Sequence, residues 1–214
     1  MMTNRNSVSA RLLKRGAMMM SAILTLVGVS SCSNDDDQPN EPTPANAKTV
    51  KFEAQSYTEW TYFSFEKGEI VSVDEATHAS DASWDLGFLR YNIRTNGGES
   101  GDGQGEVYDT GMASFDDVKS IPATGWVKDS TIRVMASGGM PPTYTETTGN
   151  TAFKVGESIG WATYTPPMGP WTFNNNVFIV KTAKGDYALL KMLSFLNEED
   201  KSGHISFEYI YPYK

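Results

Sequence analysis

The sequence predicts an all-β fold: a single, mainly antiparallel β domain with at most one or two short helical turns. Three observations predict it. Apolar and polar residues alternate with period 2 along the C-terminal stretch, Gly- and Asp-bearing turn signals punctuate the apolar runs, and no segment carries a long apolar stripe at helical spacing. With 214 residues, 39% of them hydrophobic, the chain holds enough apolar material for one packed core and suits one domain better than two.

Residues 1–31 read as a signal peptide. Arg11, Lys14 and Arg15 supply its charged region, and the apolar stretch from Gly16 to Val29 is too short to span a bilayer comfortably. It ends in Val29-Ser30-Ser31-Cys32, small residues before a lone Cys, which resembles a bacterial lipobox. That resemblance implies cleavage before Cys32 and diacylation of its sulfur, an anchor that needs no transmembrane helix. Ser33-Asn34-Asp35-Asp36-Asp37 resembles the surface-export signal of lipoproteins in the Bacteroides group. Together with the polar, Pro-rich residues 38–46 it makes 32–47 a disordered tether, and 48–214 is the expected β domain.

Within that domain, Trp60-Thr61-Tyr62-Phe63-Ser64-Phe65 is rich in β-formers, and Trp84, Leu86 and Phe88 alternate with Asp85 and Gly87. Val177-Phe178-Ile179-Val180 suits a buried central strand. Tyr187, Leu189, Leu193 and Phe195 alternate along one expected face, interrupted by Lys191; Ile205, Phe207, Tyr209 and Tyr211 form another. Lys184-Gly185-Asp186 reads as a hairpin, and Lys67-Gly68, Asn96-Gly97-Gly98 and Ser137-Gly138-Gly139 as further turns. Short helical turns are expected between Asp74 and Ser80 and after Ser114, which can cap.

Composition excludes several functions. The first 31 residues hold four basic groups and no acidic one, so residues 32–214 carry 14 basic against 26 acidic side chains, a formal charge of −12. Such a chain is repelled by phosphate backbones, which disfavours nucleic-acid binding. One Cys excludes an intramolecular disulfide and a Cys-rich zinc site, and two histidines, His78 and His204, exclude a His₃ metal site. Both histidines read as surface residues, Asp116 and Asp117 as a solvated turn, and no enzyme is expected. The stretch from Asn96 to Gly105 is too acidic to cradle phosphate and reads as a flexible loop.

The unusual chemistry lies in two methionines beside diprolines: Gly139-Met140-Pro141-Pro142 and Pro166-Pro167-Met168-Gly169. Proline stiffens each loop, so each thioether is presented from a non-helical arm, or else plugs a small apolar gap under it. Thioether sulfur is a soft ligand for copper or haem iron, and copper would want more Met, His or Cys than the neighbouring Met135. Tyr144, Tyr164, Trp171 and Phe173 are candidates for lining an aromatic haem slot, and Arg133 or Lys154 for meeting its propionates. An alternative is a carbohydrate-binding or adhesion lipoprotein without a haem site, with Trp60, Trp84, Trp126, Trp161 and Trp171 as sugar platforms.

Several stretches in order, Trp60-Thr61-Tyr62-Phe63-Ser64, Trp84-Asp85-Leu86-Gly87-Phe88 running to Arg90, Ile93-Arg94-Thr95-Asn96-Gly97-Gly98-Glu99-Ser100-Gly101, Phe115-Asp116-Asp117-Val118 and Gly203-His204-Ile205-Ser206-Phe207-Glu208-Tyr209, resemble the HmuY family of haem-binding lipoproteins from Bacteroidetes. The resemblance implies a hand-shaped all-β fold and a haemophore-like surface lipoprotein of the outer membrane. It further implies haem (iron protoporphyrin IX) passed to a TonB-dependent outer-membrane haem receptor, with host haemoproteins as a source. The founding member holds iron with two histidines; this chain has none between His78 and His204. Other members look similar to it in using methionines. The matching axial-ligand positions are Met140 and Met168, with Met135 in reserve for the first.

Overall fold

The computed structural model describes residues 44, 46–156, 160–164 and 169–214, all within one compact unit, Asn40–Lys214. Residues 1–31, expected as a signal peptide, together with Cys32 and most of the expected tether, lie outside the described residues. Among the described residues no helix is long and apolar enough to cross a membrane.

The described residues form thirteen strands: β1 (Lys48–Glu53), β2 (Thr61–Ser64), β3 (Glu69–Val71), β4 (Leu86–Leu89), β5 (Asn92–Thr95), β6 (Glu106–Asp109), β7 (Ser130–Ser137), β8 (Thr143–Gly149), β9 (Ala162–Tyr164), β10 (Trp171–Phe173), β11 (Val177–Lys181), β12 (Tyr187–Leu196) and β13 (Ser202–Tyr213). A five-stranded sheet runs β1-β13-β12-β11-β6 and a four-stranded one β3-β2-β4-β5; β7–β8 and β9–β10 are separate two-stranded hairpins. Every named pair is antiparallel.

The main core joins the two sheets. Phe63, Leu86 and Phe88 from the smaller one meet Phe178, Val180, Leu190, Met192, Ile205, Phe207 and Tyr209 from the larger. Their rings interlock: Phe63 meets Phe207 edge-on at 5.1 Å between centroids, and Phe88 stacks on Phe207 at 5.8 Å. A second cluster, Phe115, Val118, Val177, Ile179 and Leu189, covers the opposite face of the larger sheet. That two-sided cover is why Val177-Phe178-Ile179-Val180 is buried at every position. The period-2 face of β13 is as expected, with Ile205, Phe207 and Tyr209 inside.

The face expected for β12 is not what forms. Leu189 packs into the second cluster, whereas Phe195 packs into the main core and Leu193 is only half-buried. Register shifts against β13 between Met192 and Ser194, and between Ser194 and Leu196, mark a bulge. One extra residue reverses which side chains face inward, and here it turns Phe195 toward the main core.

Helical content among the described residues is three single 3₁₀ turns, one more than expected: His78–Ser80, Phe115–Asp117 and Thr151–Phe153. Ser114 caps the second by accepting from the Asp116 N–H, and Asn150 caps the third by accepting from the Ala152 N–H. Lys184-Gly185-Asp186 lies in the hairpin between β11 and β12, with Gly185 at φ 93°.

The Asn96–Gly105 stretch is packed rather than flexible. Asn96 Nδ2 donates to the carbonyls of Asp81 (2.7 Å) and Trp84 (3.0 Å), and Asn96 Oδ1 accepts from the Gly103 N–H at 3.2 Å. Glycine is needed for close approach: a Cβ on Gly97 would stand 2.2 Å from the Gly105 carbonyl oxygen. Gly97→Ala is therefore expected to destabilise the fold by about 1–3 kcal/mol, read from a urea-unfolding midpoint. A change below about 0.5 kcal/mol would contradict this packing.

Candidate functional site

The β7–β8 hairpin is a two-stranded sheet of its own and forms an arm. Its root is fastened by polar groups. The Asp129 carboxylate, just before β7, accepts from the Thr95 N–H (2.8 Å), the Thr95 hydroxyl (2.6 Å) and Asn150 Nδ2 (2.8 Å), the last just beyond β8. Burial pushes the Asp129 carboxyl above the ordinary aspartate range even against those donors. At the far end the arm comes down on Tyr57: a Cβ on Gly138 would meet the Tyr57 hydroxyl oxygen at 2.4 Å.

Under the arm is a cleft of about 710 Å³. Met135, Met140 and Tyr144 line it from the arm, Tyr164 and Trp171 from the β9–β10 hairpin, and Tyr57, Arg90, Tyr91 and Phe195 from the body. Met135 is half-buried and lies directly across the ladder from Tyr144, so the two share a face of the arm. Met140 is at the arm tip and 99% exposed. The aromatic wall is continuous: Trp171 lies 5.0 Å from Tyr164, 5.1 Å from Phe195 and 5.4 Å from Tyr91, between ring centroids. Burial pushes the Tyr91 hydroxyl above its ordinary pKa.

Of the residues expected at the site, Met140, Met135, Tyr144, Tyr164 and Trp171 are brought together. Met168 lies outside the described residues, in the connection between the paired residues Tyr164 and Trp171. Phe173 does not line the cleft. It stacks on Trp161 at 5.7 Å, against the main core, because two steps along β10 from Trp171 carry it inward from the rim. Lys154 borders a smaller neighbouring hollow. The Arg133 guanidinium sits on the arm, 4.3 Å from the centre of the Tyr144 ring. Neither histidine lines the cleft: His78 is half-buried beside Tyr62 and Trp84, and His204 is within 3.3 Å of the Gln55 amide.

Sequence reasoning missed Tyr57, Arg90, Tyr91 and Phe195 as lining residues. They come from three distant places in the chain, Arg90 and Tyr91 being neighbours, and no local pattern unites them. The tryptophans do not form a row of sugar platforms. Trp84 and Trp161 are fully buried, Trp60 lies 4.0 Å from the guanidinium carbon of Arg94, and Trp126 packs on Tyr108 and Tyr187. Of the five, Trp171 alone lines the cleft.

A family model described as HmuY protein matches residues 56–209. Among solved structures, the chain is similar to a proposed HmuY-like haem-binding protein of Bacteroides vulgatus, with 23% identity, a TM-score of 0.62, and coverage of 79% of this chain and 93% of that one. It is similar to a proposed lipoprotein of Bacteroides fragilis, with 25% identity, a TM-score of 0.62, and coverage of 81% and 94%. It is also similar to the apo HmuY analogue of Tannerella forsythia, with 23% identity, a TM-score of 0.59, and coverage of 76% and 94%. No curated protein matches the sequence closely enough to count as a relative.

Proposed function

The chain belongs to the HmuY protein family, and on that premise we propose that it is a haem-binding surface lipoprotein, with the ring taken into the cleft beneath the β7–β8 arm. The observation that carries this reading is the cleft itself: an aromatic-walled space bounded by an arm that bears two thioethers. Its volume of about 710 Å³ falls within the roughly 300–1,000 Å³ of ordinary small-molecule sites. A flat apolar ring with an iron centre and acidic edges asks for aromatic walls, soft or imidazole ligands and a cation. Tyr91, Trp171 and Phe195, Met135 and Met140, and Arg90 meet those needs. In this proposal Met140 and Met168 are the axial ligands, with Met135 in reserve, and the protein binds without catalysing. Lipid on Cys32 holds it at the outer membrane, from which haem passes to a TonB-dependent outer-membrane receptor. The likeness to a proposed lipoprotein supports the anchor.

An absorbance titration tests the proposal. A shifted Soret band saturating at one haem per chain is the expected result; a band that grows without saturating would refute it. Ligand chemistry adds a pH prediction. A thioether takes up no proton near neutrality, whereas imidazole titrates near pH ~6.5. Haem affinity should therefore stay nearly constant from pH 7.5 to about 5.5, the range in which a histidine ligand would protonate. Soft sulfur should also bind ferrous haem more tightly than ferric, and the reverse order would count against sulfur on the iron.

A further inference from the structure

We infer that Arg90 is the carboxylate-reading residue of the cleft, the group that makes it select a planar ligand with acidic substituents over the same ring without them. The inference rests on the haem reading above and deepens it.

Arg90 and Tyr91 are the two residues between the paired positions Leu89 and Asn92, so they form the two-residue tip of the β4–β5 hairpin. Arg90 has φ 55°, a left-handed conformation that glycine adopts without penalty and a long side chain does not. Glycine would make the easier turn. What the turn gains with Arg90-Tyr91 is two side chains delivered together to the cleft, where both are lining residues.

The guanidinium is held rather than loose. Its Nη1 donates to the Gln55 carbonyl at 3.0 Å and its Nη2 to the Ser202 hydroxyl at 3.2 Å. Its central carbon lies 4.2 Å from the Tyr57 ring centre and 5.4 Å from that of Phe195. Each terminal nitrogen carries two hydrogens, so those two bonds leave a donor on each. Among the described residues Arg90 has no carboxylate partner, in a chain of formal net charge −8 where anionic groups are plentiful. A cation fixed between two rings, lining an apolar cleft and lacking an internal counter-ion, is prepared for a carboxylate from outside. Arg133 is the contrasting case, an exposed side chain on the arm, laid over Tyr144.

The test compares haem with haem dimethyl ester, which keeps the ring and iron and lacks the carboxylates, on the full folded chain. The parent protein should prefer haem by about 10-fold or more, the usual reach of a charge-assisted pair. Arg90→Gln should bring that preference close to one, Arg90→Lys should retain part of it, and Lys128→Gln, at an exposed cation outside the cleft that is paired with Glu106, should leave it intact. Equal affinity of the parent for both ligands would overturn the inference while leaving the haem reading standing. Equal loss of both ligands in Arg90→Gln would also overturn it, marking Arg90 as framework only. If the parent binds neither, the haem reading itself falls.

Discussion

Replacing Met140 and Met168 together by alanine is expected to weaken haem binding by more than the roughly 10–100-fold that loss of an outer-shell partner costs a metal site. The reason is that a direct ligand to iron would be lost on each diproline loop. Met140 makes this a clean experiment. It is 99% exposed, so its truncation removes no core packing and should leave stability within about 0.5 kcal/mol of the parent. A fall in haem affinity in Met140→Ala alone therefore reports the site and not the fold. The absorbance spectrum of the bound haem should change with the affinity. An unchanged spectrum in the double variant would remove both residues from the iron and direct the same experiment to Met135, the half-buried thioether deeper along the arm.

Asp129→Ala should be among the most damaging polar substitutions, costing about 3 kcal/mol or more. The carboxylate is buried and takes three donors, two from Thr95 on β5 and one from Asn150. Alanine would leave the Thr95 N–H and the Asn150 amide without that acceptor in a place water does not reach. Both ends of the arm meet at this point, so the loss should loosen the arm as well as the body. Asp129→Asn, which keeps one acceptor oxygen, should cost distinctly less. A urea midpoint measures both, and a loss below about 1 kcal/mol for the alanine variant would show that the arm is anchored otherwise.

Much of the fold was legible because its signals are local. The alternation of Ile205, Phe207 and Tyr209 and the unbroken run Val177–Val180 each state, within a few residues, how many faces of a strand are covered. The inversion at Phe195 was not legible, because a bulge against β13 is a property of two strands and not of one. The Asn96–Gly105 stretch misled for a related reason. Its glycines read as freedom, yet they are there so that backbones from residues 96, 105 and 129 can touch. At the site, the diproline sequence pointed to the arm tip carrying Met140, and the aromatic content pointed to Tyr144, Tyr164 and Trp171. Phe173 stacks on Trp161 away from the cleft, two positions along β10 from the cleft-lining Trp171, a difference that strand alternation does not show. Arg90 carried no sequence mark of its role: its left-handed turn and its bonds to Gln55 and Ser202 exist only once distant segments have met.

The most direct measurement is a crystal structure of the protein with haem bound. The account predicts the ring beneath the β7–β8 arm, against Tyr91, Trp171 and Phe195, with methionine sulfur on the iron. A ring bound elsewhere on the surface, or iron held by His78 or His204, would contradict it.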